Sequence, residues 1–359
     1  DSFYSAGAVY IYQKQEGIWE YKAFVQAPNR GVRHYFGRDI SLSGDGKVLA
    51  VGAWNENGQQ NNPDANGTPS GAVYIYRNID DEWQFEKYLK LSRITGNDQF
   101  GNDLSLDQDG NTLAVAASYR QTSAGRTGTV HLIKYDNGEW EFTQELIPAT
   151  GNDRALFGNK VVINSQGTRL VVGMPGLIVA GNVNVGASIT YKKLASGLWE
   201  QEQFIAAPSN QANQYFGSAI DMDDDSSRIA IGAKYLNNGS IKSAGAVYLY
   251  RLSGNVYEQT TKLEPSNPTT YTDFGFSVAL SGDGAQLIVA SKEFSHWEAG
   301  FYVEESPNDN WPFSFSASHH YTFSNNGWAL WSFIKSGFDC KKPVMDRTGD
   351  NTVCGGYNN

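Results

Sequence analysis

The sequence predicts an all-β fold of four-stranded antiparallel sheets repeated around an axis, a β-propeller, on three observations. One stretch recurs five times. It reads "YFGRDISLSGDGKVLAVGA" from residue 35, then "QFGNDLSLDQDGNTLAVAA", "LFGNKVVINSQGTRLVVGM", "YFGSAIDMDDDSSRIAIGA" and "DFGFSVALSGDGAQLIVAS". The Phe-Gly pairs begin at Phe36, Phe100, Phe157, Phe216 and Phe274, a period of about 60 residues, and such self-similarity marks a repeat array. Each unit also divides into four short apolar runs separated by turn residues, and no long stretch has helical periodicity.

The elements follow in order within a unit. "DISLS" and "KVLAVGA" flank "GDG", a hairpin signal in which Gly takes the positive φ that other residues resist. A variable polar loop leads to a third strand that opens on Gly: "GAVYIY" at 7 and 71, "GTVHLIKY" at 128, "GASITYKK" at 186, "GAVYLY" at 245 and "GFYVEE" at 300. The fourth strand carries an aromatic residue at a fixed place: Trp19, Trp83, Trp140, Trp199, Tyr257 and Trp311. Large rings there fill the wedge between neighbouring blades; stacking on sugars is the alternative use of the same residues.

The chain opens inside a unit, with third and fourth strands only. "HYTFSNNGWALWSF", 320–333, aligns with the first two strands of the other units, so both ends together build one blade. That makes six blades, and pairing the ends removes a free sheet edge. A seven-bladed ring, or an open ring with a separate C-terminal tail, is the alternative. The expected organisation is a propeller over 1–333 and a C-terminal tail over 334–359 packed on it. The tail holds the only cysteines, Cys340 and Cys354, in "DCKKPVMDRTGDNTVCGG". A disulfide there would close a loop worth about 3 kcal/mol in an oxidising compartment; two free thiols are the alternative. Lys341, Lys342 and Arg347 give the tail positive charge, which suits a docking element or a plain capped loop.

Composition narrows the partners. The 359 residues carry a net charge of −10, which argues against nucleic acid and anionic membranes. No apolar run approaches a membrane span of about 20 residues. The first residue is Asp with no signal peptide before it, as expected of a processed chain.

At this point the residues resemble a known family. "FG…LAVGA…GAVYIY" is similar to the FG-GAP repeat of the integrin α-subunit propeller and of many secreted or surface proteins, over residues 7 to about 313. The resemblance implies a propeller whose second-to-third and fourth-to-first loops form the face shown to partners. The family's calcium loop is shortened here to turns such as "SGDGK" and "DDDSS", so no cofactor or calcium is carried over. The nearest approach to metal spacing is Asp221, Asp223 and Asp225, which also reads as a polar hairpin turn.

No nucleophile elbow, HExxH, Walker loop or dinucleotide fingerprint occurs, and the five histidines are scattered. The expectation is a non-catalytic, secreted or cell-surface recognition or assembly module that binds a protein partner or itself. A carbohydrate-binding lectin is the second class, and a polysaccharide hydrolase or lyase the third. Candidate anchors are Trp54, Tyr119, Tyr235 and Trp297, which follow the second strands in variable loops; rings folded back on the rim are the alternative. Asn66-Gly-Thr and Asn238-Gly-Ser in the same loops are candidate glycosylation sites of a secreted protein.

Overall fold

The computed structural model describes residues 4–58, 67–292 and the backbone of 301–303, and among these the only regular elements are strands. They form six antiparallel sheets in chain order. Strands β1 (Val9–Gln15) and β2 (Ile18–Val25) pair alone. Four complete sheets follow: β3 (Ile40–Leu42), β4 (Val48–Ala53), β5 (Ala72–Ile79) and β6 (Glu82–Leu89); β7 (Phe100–Leu106), β8 (Thr112–Ala117), β9 (Thr129–Asp136) and β10 (Glu139–Leu146); β11 (Val161–Ile163), β12 (Arg169–Met174), β13 (Ala187–Lys193) and β14 (Trp199–Ala206); β15 (Ala219–Met222), β16 (Arg228–Ala233), β17 (Ala246–Ser253) and β18 (Val256–Leu263). The last sheet holds β19 (Ser277–Leu280), β20 (Leu287–Ala290) and β21 (Phe301–Val303).

Every sheet is a meander, each strand pairing with the next in sequence, so the four-run reading of the repeat holds. The second strands β4 and β8 are buried along their whole length, which is why "VLAVGA" and "TLAVAA" are unbroken apolar runs rather than alternating ones. Residues 320–333 and 334–359, expected to close the ring and to form the tail, lie outside the described residues. So do Cys340, Cys354, Lys341, Lys342 and Arg347.

The inner hairpin turns are set by one polar residue in each unit. Ser43 Oγ accepts from the Val48 N–H at 2.9 Å, Asp107 Oδ1 from Thr112 at 3.0 Å, and Asn164 Oδ1 from Arg169 at 2.8 Å. Asp223 Oδ1 does the same for Arg228 at 2.9 Å and Ser281 Oγ for Gln286 at 2.9 Å. These side chains stand in for a backbone acceptor, the usual work of Asp, Asn and Ser in turns. Where "DDDSS" lacks the Gly of the other turns, Ser226 takes the left-handed conformation at φ 61°.

The Gly that opens each third strand locks one sheet to the next. Gly7, Gly71, Gly186 and Gly245 bridge to Phe36, Phe100, Phe216 and Phe274 of the following unit. At Gly71 the approach leaves no room: φ is +87°, and a Cβ would lie 2.1 Å from the Phe100 carbonyl oxygen. The residue before each Phe, namely Tyr35, Gln99, Leu156, Tyr215 or Asp273, is also left-handed, so the chain makes the same sharp entry into every first strand.

The outer strands meet through their recurring aromatics. Trp140, Trp199 and Tyr257 are buried. The Trp140 indole N–H donates to Glu86 of the preceding sheet at 2.8 Å. Gln144 clasps the Trp199 backbone with both ends of its amide (2.7 and 2.8 Å), and Gln203 clasps Tyr257 in the same way (2.7 and 3.0 Å). These aromatics do the packing work. A register shift recurs in each outer hairpin, as at Ile75/Tyr76 and Leu249/Tyr250, and increases its twist.

Candidate functional site

Two places gather titratable groups near the inner strands. The first is a column three residues after the repeated Phe, where the unit offers Asp39, Asp103 and Lys160, all buried. Asp39 Oδ2 accepts from the Leu104 N–H at 2.7 Å, and Asp103 Oδ2 from Val161 at 2.6 Å; each partner lies in the next sheet. Two residues further along, Ser41 accepts from Leu106 (3.0 Å), Ser105 from Ile163 (3.1 Å) and Asp221 from Leu280 (2.7 Å). The Lys160 ammonium donates to Asp103 Oδ1 at 2.6 Å. Burial pushes Asp39 up to about 6, against the pull of Lys160 and Arg38. Burial raises Asp103 as well, with Lys160 opposing. Burial also takes Asp221 up to about 7, against its bonds from Leu280 and Met222. These groups are committed to stitching inner strands together, so the column is a structural clasp.

The second place is the inner rim of the face on which first strands begin and second strands end. There the residue before each Phe stands beside the residues that close the second strand of the same sheet. Tyr35 stacks on Trp54 at 5.3 Å and 15°, and Tyr215 meets Tyr235 edge-on at 5.4 Å. The backbone repeats the pairing: Tyr119 N–H donates to the Asp98 carbonyl, Tyr235 to Gln214 and Lys292 to Thr272.

At the junction of the last two sheets this rim becomes charged. The Lys234 ammonium lies 5.1 Å from the Tyr235 ring centre and 4.8 Å from that of Phe276. Across the junction Asp273 is only 3 % exposed, and its Oδ1 has no hydrogen-bond partner among the described residues. Burial pushes Asp273 up to about 6, with Lys234 and Lys292 pulling against it. Burial also lowers Lys234, opposed by Asp273 and reinforced by Lys292. A carboxylate raised and a lysine lowered at one place is the electrostatic pattern of a functional site.

A third polar centre is fully internal. Glu56, with no exposed surface, accepts from Asn29 (2.9 Å), Gly58 N–H (2.7 Å), Tyr88 (2.9 Å) and Lys90 (2.6 Å). Tyr74 completes the network by donating to Asn29 at 2.6 Å. Every acceptor position of the carboxylate is in use, so this centre braces the second-to-third loop of its sheet.

The predicted anchors are placed as follows. Trp54 and Tyr235 are half-buried on the rim against rings of their own sheets, in the sheets β3–β6 and β15–β18, which are not neighbours in sequence. Tyr119 is half-buried next to Arg120, which pairs with Asp98 at 3.2 Å and Glu145 at 3.0 Å. Trp297 and Asn66 lie outside the described residues. Asn238 is half-buried in a two-residue bridge with Ile241. Asp221, Asp223 and Asp225 do not converge: the first binds the next sheet, the second caps its turn, and the third accepts from Ser227 at 2.8 Å. No cluster of three metal-ligating side chains occurs among the described residues. Asp39, Asp103, Lys160, Lys234 and Asp273 were missed, because each unit contributes one residue and no local motif forms. Aligning the units and scanning each column for charge would have found the first three.

These sheets, meanders of one repeat each packed against the next in chain order, define the class as a β-propeller. The FG-GAP repeat family model matches two regions of the chain, residues 19–76 and 199–250. Among solved structures, the periplasmic gluconolactonase PpgL of Pseudomonas aeruginosa aligns at 16 % identity with a TM-score of 0.51, over 86 % of this chain and 82 % of that one. A putative TolB from Agrobacterium tumefaciens aligns at 13 % identity with a TM-score of 0.41, over 78 % and 76 %. No curated protein matches in sequence. The first likeness shows the fold.

It also corrects the functional expectation. A non-catalytic adhesion or assembly module, with a lectin as its alternative, was inferred from a rigid scaffold without familiar catalytic motifs. The structure aligned over most of this chain is an enzyme, so that scaffold does not imply a non-catalytic role. Trp54 and Tyr235 spend part of their ring surface on Tyr35 and Tyr215 and are half-buried.

Proposed function

We propose that the chain is a small-molecule-binding β-propeller whose site is the charged junction on the inner rim, formed by Lys234, Asp273, Tyr215, Tyr235 and Phe276. The observation that carries this reading is the buried, unpaired Asp273 Oδ1 beside a lysine held over two rings. Buried polar groups without partners are uncommon and invite a ligand. Elsewhere near the axis, the Asp39, Asp103 and Asp221 carboxylates are tied to backbone N–H groups. That the gluconolactonase is an enzyme on this fold supports a small ligand over a macromolecular one. The test is an amide NMR titration of the full chain with a panel of small sugars, sugar acids and amino acids. Shifts should concentrate at 213–218, 233–237 and 271–276. Shifts confined to the outer strands would rule the site out.

We further propose that the ring has six blades, the sixth completed on β1 by residues 320–333. In the complete sheet β3–β6, Tyr74 and Tyr76 pack edge-on against Phe36 and are 1 % and 4 % exposed. The corresponding Tyr10 and Tyr12 on β1 are 62 % and 46 % exposed, on the sheet face that Phe36 covers in the complete sheet. Hydrogen exchange checks this. Amides of β1 should be as protected as those of β5 in the full chain and lose that protection when 314–359 are deleted. Equal exchange in both proteins would refute the closure.

A further inference from the structure

The charged junction constrains the chemistry of what it binds, and this inference rests on the small-molecule reading above. The half-buried Lys234 ammonium has aromatic neighbours and no hydrogen-bond acceptor among the described residues, so an anionic ligand oxygen would find it served only by water. Asp273 Oδ1 needs the opposite, a donor. A purely anionic ligand such as phosphate would satisfy the lysine and repel Asp273. A second cation at Asp273 would meet the fields of both Lys234 and Lys292, which already act on that carboxylate. The remaining donors are neutral, a hydroxyl or an amide N–H, and the hydroxyl is the smaller.

The rings restrict the rest of the molecule. Tyr215 and Tyr235 meet edge-on, and the Tyr235 and Phe276 ring centres lie 5.1 and 4.8 Å from the ammonium, so aromatic surface adjoins the two polar groups. Such surroundings suit a short carbon chain whose C–H edges face the rings. A hydrogen bond to a charged partner changes affinity about tenfold or more, so both polar ends should count.

We propose that the Lys234–Asp273 junction binds a hydroxy acid of the sugar-acid class, its carboxylate on Lys234 and a hydroxyl donated to Asp273. The test uses the full chain, isothermal titration calorimetry and amide NMR, with four sodium-buffered probes: gluconate, acetate, glucose and alanine. Gluconate should bind about tenfold or more tightly than acetate, which lacks the hydroxyl, and than glucose, which lacks the carboxylate. Asp273→Asn, nearly isosteric, should weaken gluconate about tenfold while leaving acetate unchanged. Lys234→Gln should weaken both acids, and Lys234→Met repeats the test if the first variant misfolds. Acetate binding as tightly as gluconate, alanine binding more tightly, or an Asp273→Asn protein that keeps its gluconate affinity would each overturn the hydroxy-acid assignment. In those cases shifts at 213–218 and 233–237 still uphold the rim as a small-ligand site. No shift at the rim with any of the four probes overturns both.

Discussion

Gly71→Ala is expected to destabilise the protein by more than about 3 kcal/mol, read as a lower urea midpoint at unchanged slope. Two penalties combine. A left-handed φ costs an L side chain about 1–2 kcal/mol. The new methyl must also displace backbone, since its position lies 2.1 Å from Phe100 O and 2.8 Å from Trp54 O. Gly138 separates the two: its φ is +86°, nearly that of Gly71, and nothing lies within 4 Å of its Cβ position. Gly138→Ala should therefore cost only the conformational share, about 1–2 kcal/mol. Equal losses in the two variants would show that the Gly-to-Phe bridge adds no steric requirement.

Lys90→Met should cost about 3–5 kcal/mol, because it strands the Glu56 carboxylate in an interior with no water to solvate it. The pair is among the least exposed in the protein, with side chains 1 % and 0 % accessible. Glu56→Leu places the residue type that Leu177 and Leu236, both buried, supply at the matching position of two other sheets. The double variant Glu56→Leu/Lys90→Met should lose less than the sum of the two single losses, by about 2 kcal/mol or more, since it removes both charges together. Simple additivity in a urea-unfolding cycle would mean that the two groups do not depend on each other.

Much of this was legible from the residues. Glycines at fixed places, one polar residue per turn and one ring per outer strand are demands the repeat makes of every unit, so they recur and can be read. The FG-GAP resemblance rested on the same recurrence. The site was less legible for the opposite reason. Lys234 and Asp273 occupy positions where other units carry Trp54 or Pro175, and Tyr35 or Leu156, so nothing in their own surroundings sets them apart. They become a pair only because the packing of one sheet on the next places the end of β16 beside the entry to β19. Trp54 and Tyr235 were noticed as irregular aromatics, but their sequence could not show that Tyr35 and Tyr215 cover them.

The bridge from each opening Gly to the next Phe also governs the order in which the chain can be finished. Ser70 and Gly71 meet Phe100, which leaves the ribosome about 30 residues later, roughly 2–6 s at ordinary elongation rates. The clasp from Asp39 to Leu104 waits longer still, for a partner 65 residues downstream. During synthesis the newest unit therefore has an unlocked third strand and an unstitched inner strand, while the complete sheets behind it are secured. A stalled or truncated chain leaves an open strand edge at its growing end ready to pair with the wrong neighbour.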